Sequence, residues 1–307
     1  MKNLSSLLFH FTTILFLTLN SSCSWASEKE KNSENYFLVG CTPGDDLIKS
    51  QLGIPVETKI DFIRWDLKFD NSNTFVLNIK FGENQPNTLE FKAGGQGKDF
   101  QGSYTISKNM DNDFYNLKAD QLKISLVKLN DNLFHLLTSE NQLMVGNGGW
   151  SYTLNNKNPT KIIDNLPSLK TSSNTLNDKL VQVIYDGRTP CQEFATEHQM
   201  EVSESCFKLK WKLTLNRDSL TFNPTTFSIR KVADNVPKDI TGTWAIIKGT
   251  KSNPNAIIYQ LDPDNPNKTI SLFVGDENIL YFLHKDKNLF IGNDNFSFTL
   301  NKRQSSL

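Results

Sequence analysis

Residues 133–156 (LFHLLTSENQLMVGNGGWSYTLNN) and 279–302 (ILYFLHKDKNLFIGNDNFSFTLNK) are two versions of one segment. Eight of the 24 aligned pairs are identical, where unrelated segments would share roughly one or two. Among them are Gly146/Gly292, Asn147/Asn293, Ser151/Ser297, Thr153/Thr299 and Leu154/Leu300. Further upstream, Gly40-Cys41-Thr42-Pro43 faces Gly187-Arg188-Thr189-Pro190, Trp65 faces Trp211, and Gly102-Ser103-Tyr104 faces Gly242-Thr243-Trp244, in the same order in both halves. A duplicated chain must solve one folding problem twice. The reading is two domains, 37–156 and 180–302, joined by a polar, proline-containing linker at 157–179.

Within a copy the hydrophobic period is two. From Phe207 to Leu215 the odd positions are apolar and the even ones polar, and the stretch around Trp65 alternates in the same way. Phenylalanine, at 21 residues, and abundant Asn, Thr and Ser suit strands and turns. A first strand is expected at Tyr36–Gly40 and at Val181–Asp186. A short helix follows at about 43–52 and 190–200, with Pro43 and Pro190 in its first turn and Thr42 and Thr189 as caps. Further strands are expected near 74–82, 99–106, 121–127, 132–138, 142–146 and 149–155, with counterparts near 225–231, 240–247, 269–273, 278–284, 288–292 and 295–301. Short connections such as 130–132 and 276–278 favour hairpins. A sheet with one apolar face must close or pack. The fold class is therefore all-β with a short helix per repeat, as two tandem small antiparallel meander β-barrels. Gly146-Asn147-Gly148-Gly149 and Gly292-Asn293-Asp294-Asn295 are expected to be turns with positive φ, not phosphate loops, because no helix follows them.

The N-terminus reads as an export signal. Lys2 precedes an apolar run from Leu7 to Leu19 that is short for a membrane span, and small residues follow. Cleavage after Ala26 makes 1–26 a signal peptide and the product a released protein. Alternatively, Leu19-Asn20-Ser21-Ser22-Cys23 is a relaxed lipobox, with a lipoprotein signal ending at 22 and Cys23 lipidated. The expected location is the periplasm, the outer membrane through a lipid anchor, or the medium. The 33 basic and 33 acidic residues, 32 against 33 once Lys2 is removed, leave no polycationic footprint for nucleic acid. Cys191 and Cys206 are spaced for a disulfide in an oxidising compartment, and Cys41 is left as a buried free thiol.

The segment Tyr185-Asp186-Gly187-Arg188-Thr189-Pro190-Cys191-Gln192-Glu193-Phe194, followed by an alternating strand, resembles the NlpE N-terminal domain family. These are bacterial envelope lipoproteins associated with copper resistance and surface sensing. The resemblance implies a small barrel related in shape to lipocalins in each copy. The family's Cys-x-x-Cys would need a second cysteine at Phe194, and in the first copy Gly44 and Leu47 face Cys191 and Phe194.

Catalytic and metal-binding patterns are sparse. His10 belongs to the leader, and His135, His198 and His284 have no His or Cys at metal-ligand spacing. No G-x-S-x-G elbow occurs. Asp45-Asp46 and Gln192-Glu193 fall where acids favour a helix start, and Asp262-Pro-Asp264-Asn-Pro-Asn267 is a turn rather than a Ca²⁺ loop. Trp65, Trp150, Trp211 and Trp244 are expected on strands, in the core or lining a ligand cavity. The resulting expectation is a non-catalytic envelope or secreted protein without cofactor or metal. It binds a small ligand or an envelope or extracellular protein, and meets a membrane only through a lipid anchor. A copper-handling or redox protein using Cys191 and Cys206, and a hydrolase with an unrecognised site, are the alternatives.

Overall fold

A computed structural model describes residues 35–86, 88–109, 112–120, 122–160, 166–169, 180–250 and 253–304. The leader, with His10 and Cys23, and most of the linker lie outside the described residues. The first copy runs β1 (Phe37–Pro43), α1 (Asp46–Gln51), β2 (Phe62–Phe69), β3 (Thr74–Gly82), β4 (Gln96–Asn109), β5 (Asn112–Ala119), β6 (Leu122–Asn130), β7 (Leu133–Leu137) and β8 (Thr153–Asn156). The second runs β9 (Gln182–Thr189), α2 (Gln192–Glu197), β10 (Leu209–Arg217), β11 (Pro224–Ala233), β12 (Val236–Lys248), β13 (Ile257–Leu261), β14 (Ile270–Val274), β15 (Ile279–Leu283) and β16 (Thr299–Lys302). Each strand pairs with the next, β8 returns to β1 and β16 to β9, so both copies are closed eight-stranded antiparallel meanders without a free edge.

Alternation sets which side chains fill each barrel. In β10, Leu209, Trp211, Leu213 and Leu215 are buried while the lysines between them are exposed. Trp65 and Trp211 occupy matching places in two separate cores. A buried indole N–H needs an acceptor, and the threonine on the neighbouring strand supplies it: Trp65 Nε1 donates to Thr42 Oγ1 at 2.8 Å and Trp211 Nε1 to Thr189 Oγ1 at 2.9 Å. These threonines therefore anchor tryptophans and do not cap helices. Pro43 ends β1, and α1 is capped by Asp45, whose carboxylate accepts from Ile48 N at 3.1 Å. Cys191 holds the equivalent cap position of α2 without a side-chain capping hydrogen bond. Asp45 and Ile48, not Gly44 and Leu47, thus match Cys191 and Phe194, because Gly44 is one extra residue before the first helix.

β5 and β13 have no counterpart among the expected strands. Conversely, 142–146 and 288–292 hold only the single bridges Leu137↔Leu143 and Leu283↔Leu289. Their pairing stops because Gly146 N and Gly292 N turn away to bond elsewhere, at 2.7 Å to Asn301 Oδ1 and 2.8 Å to Asn155 Oδ1. In the turns that follow, the Asn147 carboxamide accepts from Gly149 N and Trp150 N, and Asn293 from Asn295 N and Phe296 N. Only Gly148 has positive φ there; 292–295 need none, since the asparagine side chain closes the turn. Trp150 accordingly lies off any strand, stacked on Phe62 under Arg188.

The two barrels meet through equivalent surfaces. Ser151 Oγ lies 2.6 Å from Ser297 Oγ, Thr153 Oγ1 3.0 Å from Thr299 Oγ1, and the Tyr281 hydroxyl 2.8 Å from His135 Nδ1; each pair is separated by 146 residues. The crossed bonds from Asn301 to Gly146 and from Asn155 to Gly292 are reciprocal. Around this polar line an apolar cluster draws on outward faces of both barrels, including Val127, Leu137, Ile258, Phe273, Leu283 and Leu289, and it also buries Leu166 of the linker. This is the self-complementary geometry of a two-fold interface, built within one chain. It explains where the repeat is identical: Ser151/Ser297 and Thr153/Thr299 meet their own counterparts, and the crossed Asn–Gly contacts occur twice only if Asn155/Asn301 and Gly146/Gly292 match.

Candidate ligand-binding site

The two barrels differ inside. In the first, Trp65 on β2 is opposite Ile79 on β3, and two residues further along β3 stands Phe81; both are buried in the core. In the second, Trp211 is opposite Lys231, and two residues further along stands Ala233. Across the next pairing, Leu77 faces Phe100 while its counterpart Ile229 faces Ile240. The C-cap of the helix is Leu52 in one copy and His198 in the other. Where the first barrel packs a leucine, an isoleucine and two phenyl rings, the second has an imidazole, an ammonium, a methyl and a smaller aliphatic.

The consequence is a cavity of about 830 Å³ in the second barrel, within the 300–1,000 Å³ range typical of small-molecule sites. Its walls are Phe227 and Ile229 of β11, Ile240 of β12, Leu261 of β13 and Ile270 of β14, with Phe194 of α2 and the segment 198–203 over one side. The β11–β12 hairpin forms part of the rim. Its two turn residues, Asp234 (φ 49) and Asn235 (φ 63), both sit in the left-handed region, as a tight two-residue hairpin demands. Val236 next to them is 68% exposed.

Lys231 points inward by the alternation of β11, and only 9% of it is exposed. Its ammonium donates to the thioether of Met200 at 3.0 Å. Burial lowers its pKa from the usual lysine value, and Lys238, directly opposite on β12, lowers it further. In the first barrel the lysine matching Lys238, Lys98, donates to the Leu52 and Gly53 carbonyls at the end of α1.

The Cys191–Cys206 disulfide forms as expected, with Cα atoms 5.8 Å apart. It ties the start of α2 to the far end of the segment that walls the cavity. Cys191→Ser with Cys206→Ser is expected to lower stability by about 3 kcal/mol through the freed fifteen-residue loop. Urea unfolding of the double variant, compared with wild type under oxidising conditions, checks it; an unchanged midpoint would deny the bridge any bracing role.

The remaining candidate residues fall elsewhere. Cys41 is a buried free thiol, pushed up to about 12 chiefly by burial. His135 is fully buried between the barrels: Nε2 donates to the Met144 carbonyl at 2.9 Å, so Nδ1, with its one lone pair, accepts from the Tyr281 hydroxyl, and Thr153 Oγ1 lies 2.9 Å away. His284 bonds Glu197 and lies 3.6 Å from Glu193, joining α2 to the turn after β15. Burial in this cluster raises the Glu193 pKa. His198 stacks on Phe194 and is lowered to about 4, mainly by burial. Trp211 and Trp244 pack in the second core. The segment from Asp262 is a turn on the rim of the cavity. The cavity itself had a readable sign in the sequence, a lysine and an alanine at inward positions of β11 that the first copy fills with Ile79 and Phe81. It becomes visible only once the two strands are aligned through their tryptophan partners. No protein-family model matches the chain, and no curated protein and no solved structure shows significant similarity to it.

Proposed function

We propose that this chain is an exported, non-catalytic binding protein whose second barrel holds a small, largely apolar ligand while the first serves as a solid support. One observation carries the reading: side chains that fill the first barrel have no equivalent in the second, at positions where the pairing register is otherwise the same. Export is supported by the N-terminal segment, by the disulfide and by the resemblance to envelope lipoproteins of the NlpE type. Mass spectrometry of the mature N-terminus separates a lipidated Cys23 from a released chain beginning at Ser27.

The histidines favour binding over catalysis. His135 is enclosed and neutral, His198 is stacked on a phenyl ring, and His284 is committed to glutamates. A copper-handling role would need Cys191 and Cys206 as thiolates, and the bridge uses both. Hydrolysis of a substrate by the purified chain, abolished by changing one polar residue, would replace the binding reading.

The direct test refills the cavity. Lys231→Ile with Ala233→Phe rebuilds in the second barrel what Ile79 and Phe81 provide in the first. A neutral apolar fluorophore such as N-phenylnaphthylamine should bind wild type and lose at least about tenfold in affinity for the filled variant, which should also be the more stable protein. Equal binding by the two proteins would remove the cavity as the site.

A further inference from the structure

Lys231 places a positive charge where a barrel of this design otherwise has an aliphatic side chain. A buried ammonium is costly without a counter-charge, and the thioether it touches supplies only a weak acceptor. Lys238 stands directly opposite it across the β11–β12 pair, and like charges so placed repel. Acids do line the same cavity: Glu201, Asp234 and Asp262 lie around its edge. Among the described residues none of them forms an ion pair with either lysine, and the Asp234 carboxylate accepts from Ser203 N at 2.9 Å.

The position along the strand matters as much as the charge. Ala233 adjoins the hairpin turn, Lys231 is one inward step below it, and Ile229 and Phe227 follow below that. The cavity is thus graded, with cations near the hairpin and an oily floor. An apolar molecule alone would fill the floor and leave the ammonium unmatched. A soluble anion alone would satisfy the ammonium and leave the floor wet.

We infer that the ligand is a single-chain amphiphile with an anionic head, held by the ammonium groups of Lys231 and Lys238, its tail lying over Phe227, Ile229, Ile240, Leu261 and Ile270. This rests on the second barrel being a binding site and adds the chemistry of what it takes. Charge-assisted hydrogen bonds from a partly desolvated ammonium provide the head-group selectivity, and the apolar walls the bulk of the affinity.

The test compares ligands of one chain length on the mature, oxidised protein. N-phenylnaphthylamine is bound first and displaced with dodecanoate, dodecyl phosphate, dodecanol or dodecyltrimethylammonium. The anions should displace it at least about tenfold more tightly than dodecanol, with the cationic amphiphile weakest. The ratio between dodecanoate and dodecyl phosphate distinguishes a carboxylate from a phosphate-ester head. In Lys231→Met the anion preference should fall by about tenfold while dodecanol binding holds, and Lys238→Met should give a smaller loss in the same sense. Displacement by all four ligands at similar concentrations would overturn the anionic head and leave the cavity as an apolar site. Failure of the fluorophore to bind wild type would overturn both.

Discussion

Gly292→Ala is expected to destabilise the protein by about 3 kcal/mol, at the upper end of what overpacking costs, with Gly146→Ala close behind. A methyl at 292 would lie 2.1 Å from the Phe296 carbonyl oxygen and 2.7 Å from Asn155 Oδ1 of the opposite barrel. At 146 the corresponding distances are 2.2 Å to the Trp150 carbonyl oxygen and 2.9 Å to Asn301 Oδ1. Neither glycine has positive φ, so the penalty is steric rather than conformational. It falls on the backbone of the glycine's own turn on one side and on the crossed Asn–Gly bonds to the opposite barrel on the other. Gly97→Ala is the control: its added methyl would meet nothing closer than 3.7 Å, and a shift within about 0.5 kcal/mol is expected. Urea midpoints measure the ranking, and binding of an apolar dye to the glycine variants reports opening of the shared apolar cluster. A Gly292→Ala protein as stable as Gly97→Ala would mean that neither the 292–296 turn nor its contact with Asn155 is as described.

Acidification should act at the same contact. His135 is lowered from 6.5 to about 4, with burial as the main cause and its bond to the Met144 carbonyl opposing it. Between those two values the unfolded chain takes up a proton that the folded one refuses. The contribution is therefore complete above about pH 6.5, declines as the pH falls, and ends near pH 4 with about 3 kcal/mol lost. Asp276 runs the other way. Its carboxyl is raised from 3.8 to about 6, first by burial, so over roughly pH 6 to 4 the folded state gains the proton first and stability rises as the pH drops. Wild type should consequently show a shallow acid limb. Asp276→Asn should steepen it, and His135→Gln should flatten the fall, with the His135 difference read from urea unfolding at pH 7.5, 6 and 4.5. Parallel curves for wild type and His135→Gln would show that the imidazole is not enclosed in the folded protein.

The repeat and the period-two alternation made most of the fold legible, because both reflect local rules: an apolar residue every second position and the same order of turns twice. What they left out was set by contacts between the copies. The identical glycines were read as turn residues, whereas Gly146 and Gly292 are needed for close approach to Asn301 and Asn155. Thr42 and Thr189 precede prolines as helix caps do, yet a buried indole on the next strand claims their hydroxyls. His135 and Tyr281 align in the repeat and also touch each other, which alignment alone does not disclose. The imidazole, with its one N–H given to Met144, can only accept at Nδ1, so a hydroxyl suits the facing position and a second neutral histidine with the same tautomer would not. The cavity was hidden for a similar reason. Lys231 looks like one more charge in a polar stretch until its opposite number, Trp211, shows which way it points.

Joining the two halves covalently changes what substitution can do. In a dimer of identical chains every replacement appears twice, so a lysine placed in one lumen is placed in both, and a hollowed interior weakens both subunits together. Here the reciprocal contacts stay matched while the linings diverge: Ile79 and Phe81 pack in the core of one barrel, and only the other carries Lys231 and Ala233 at those places, with the loss of packing they entail.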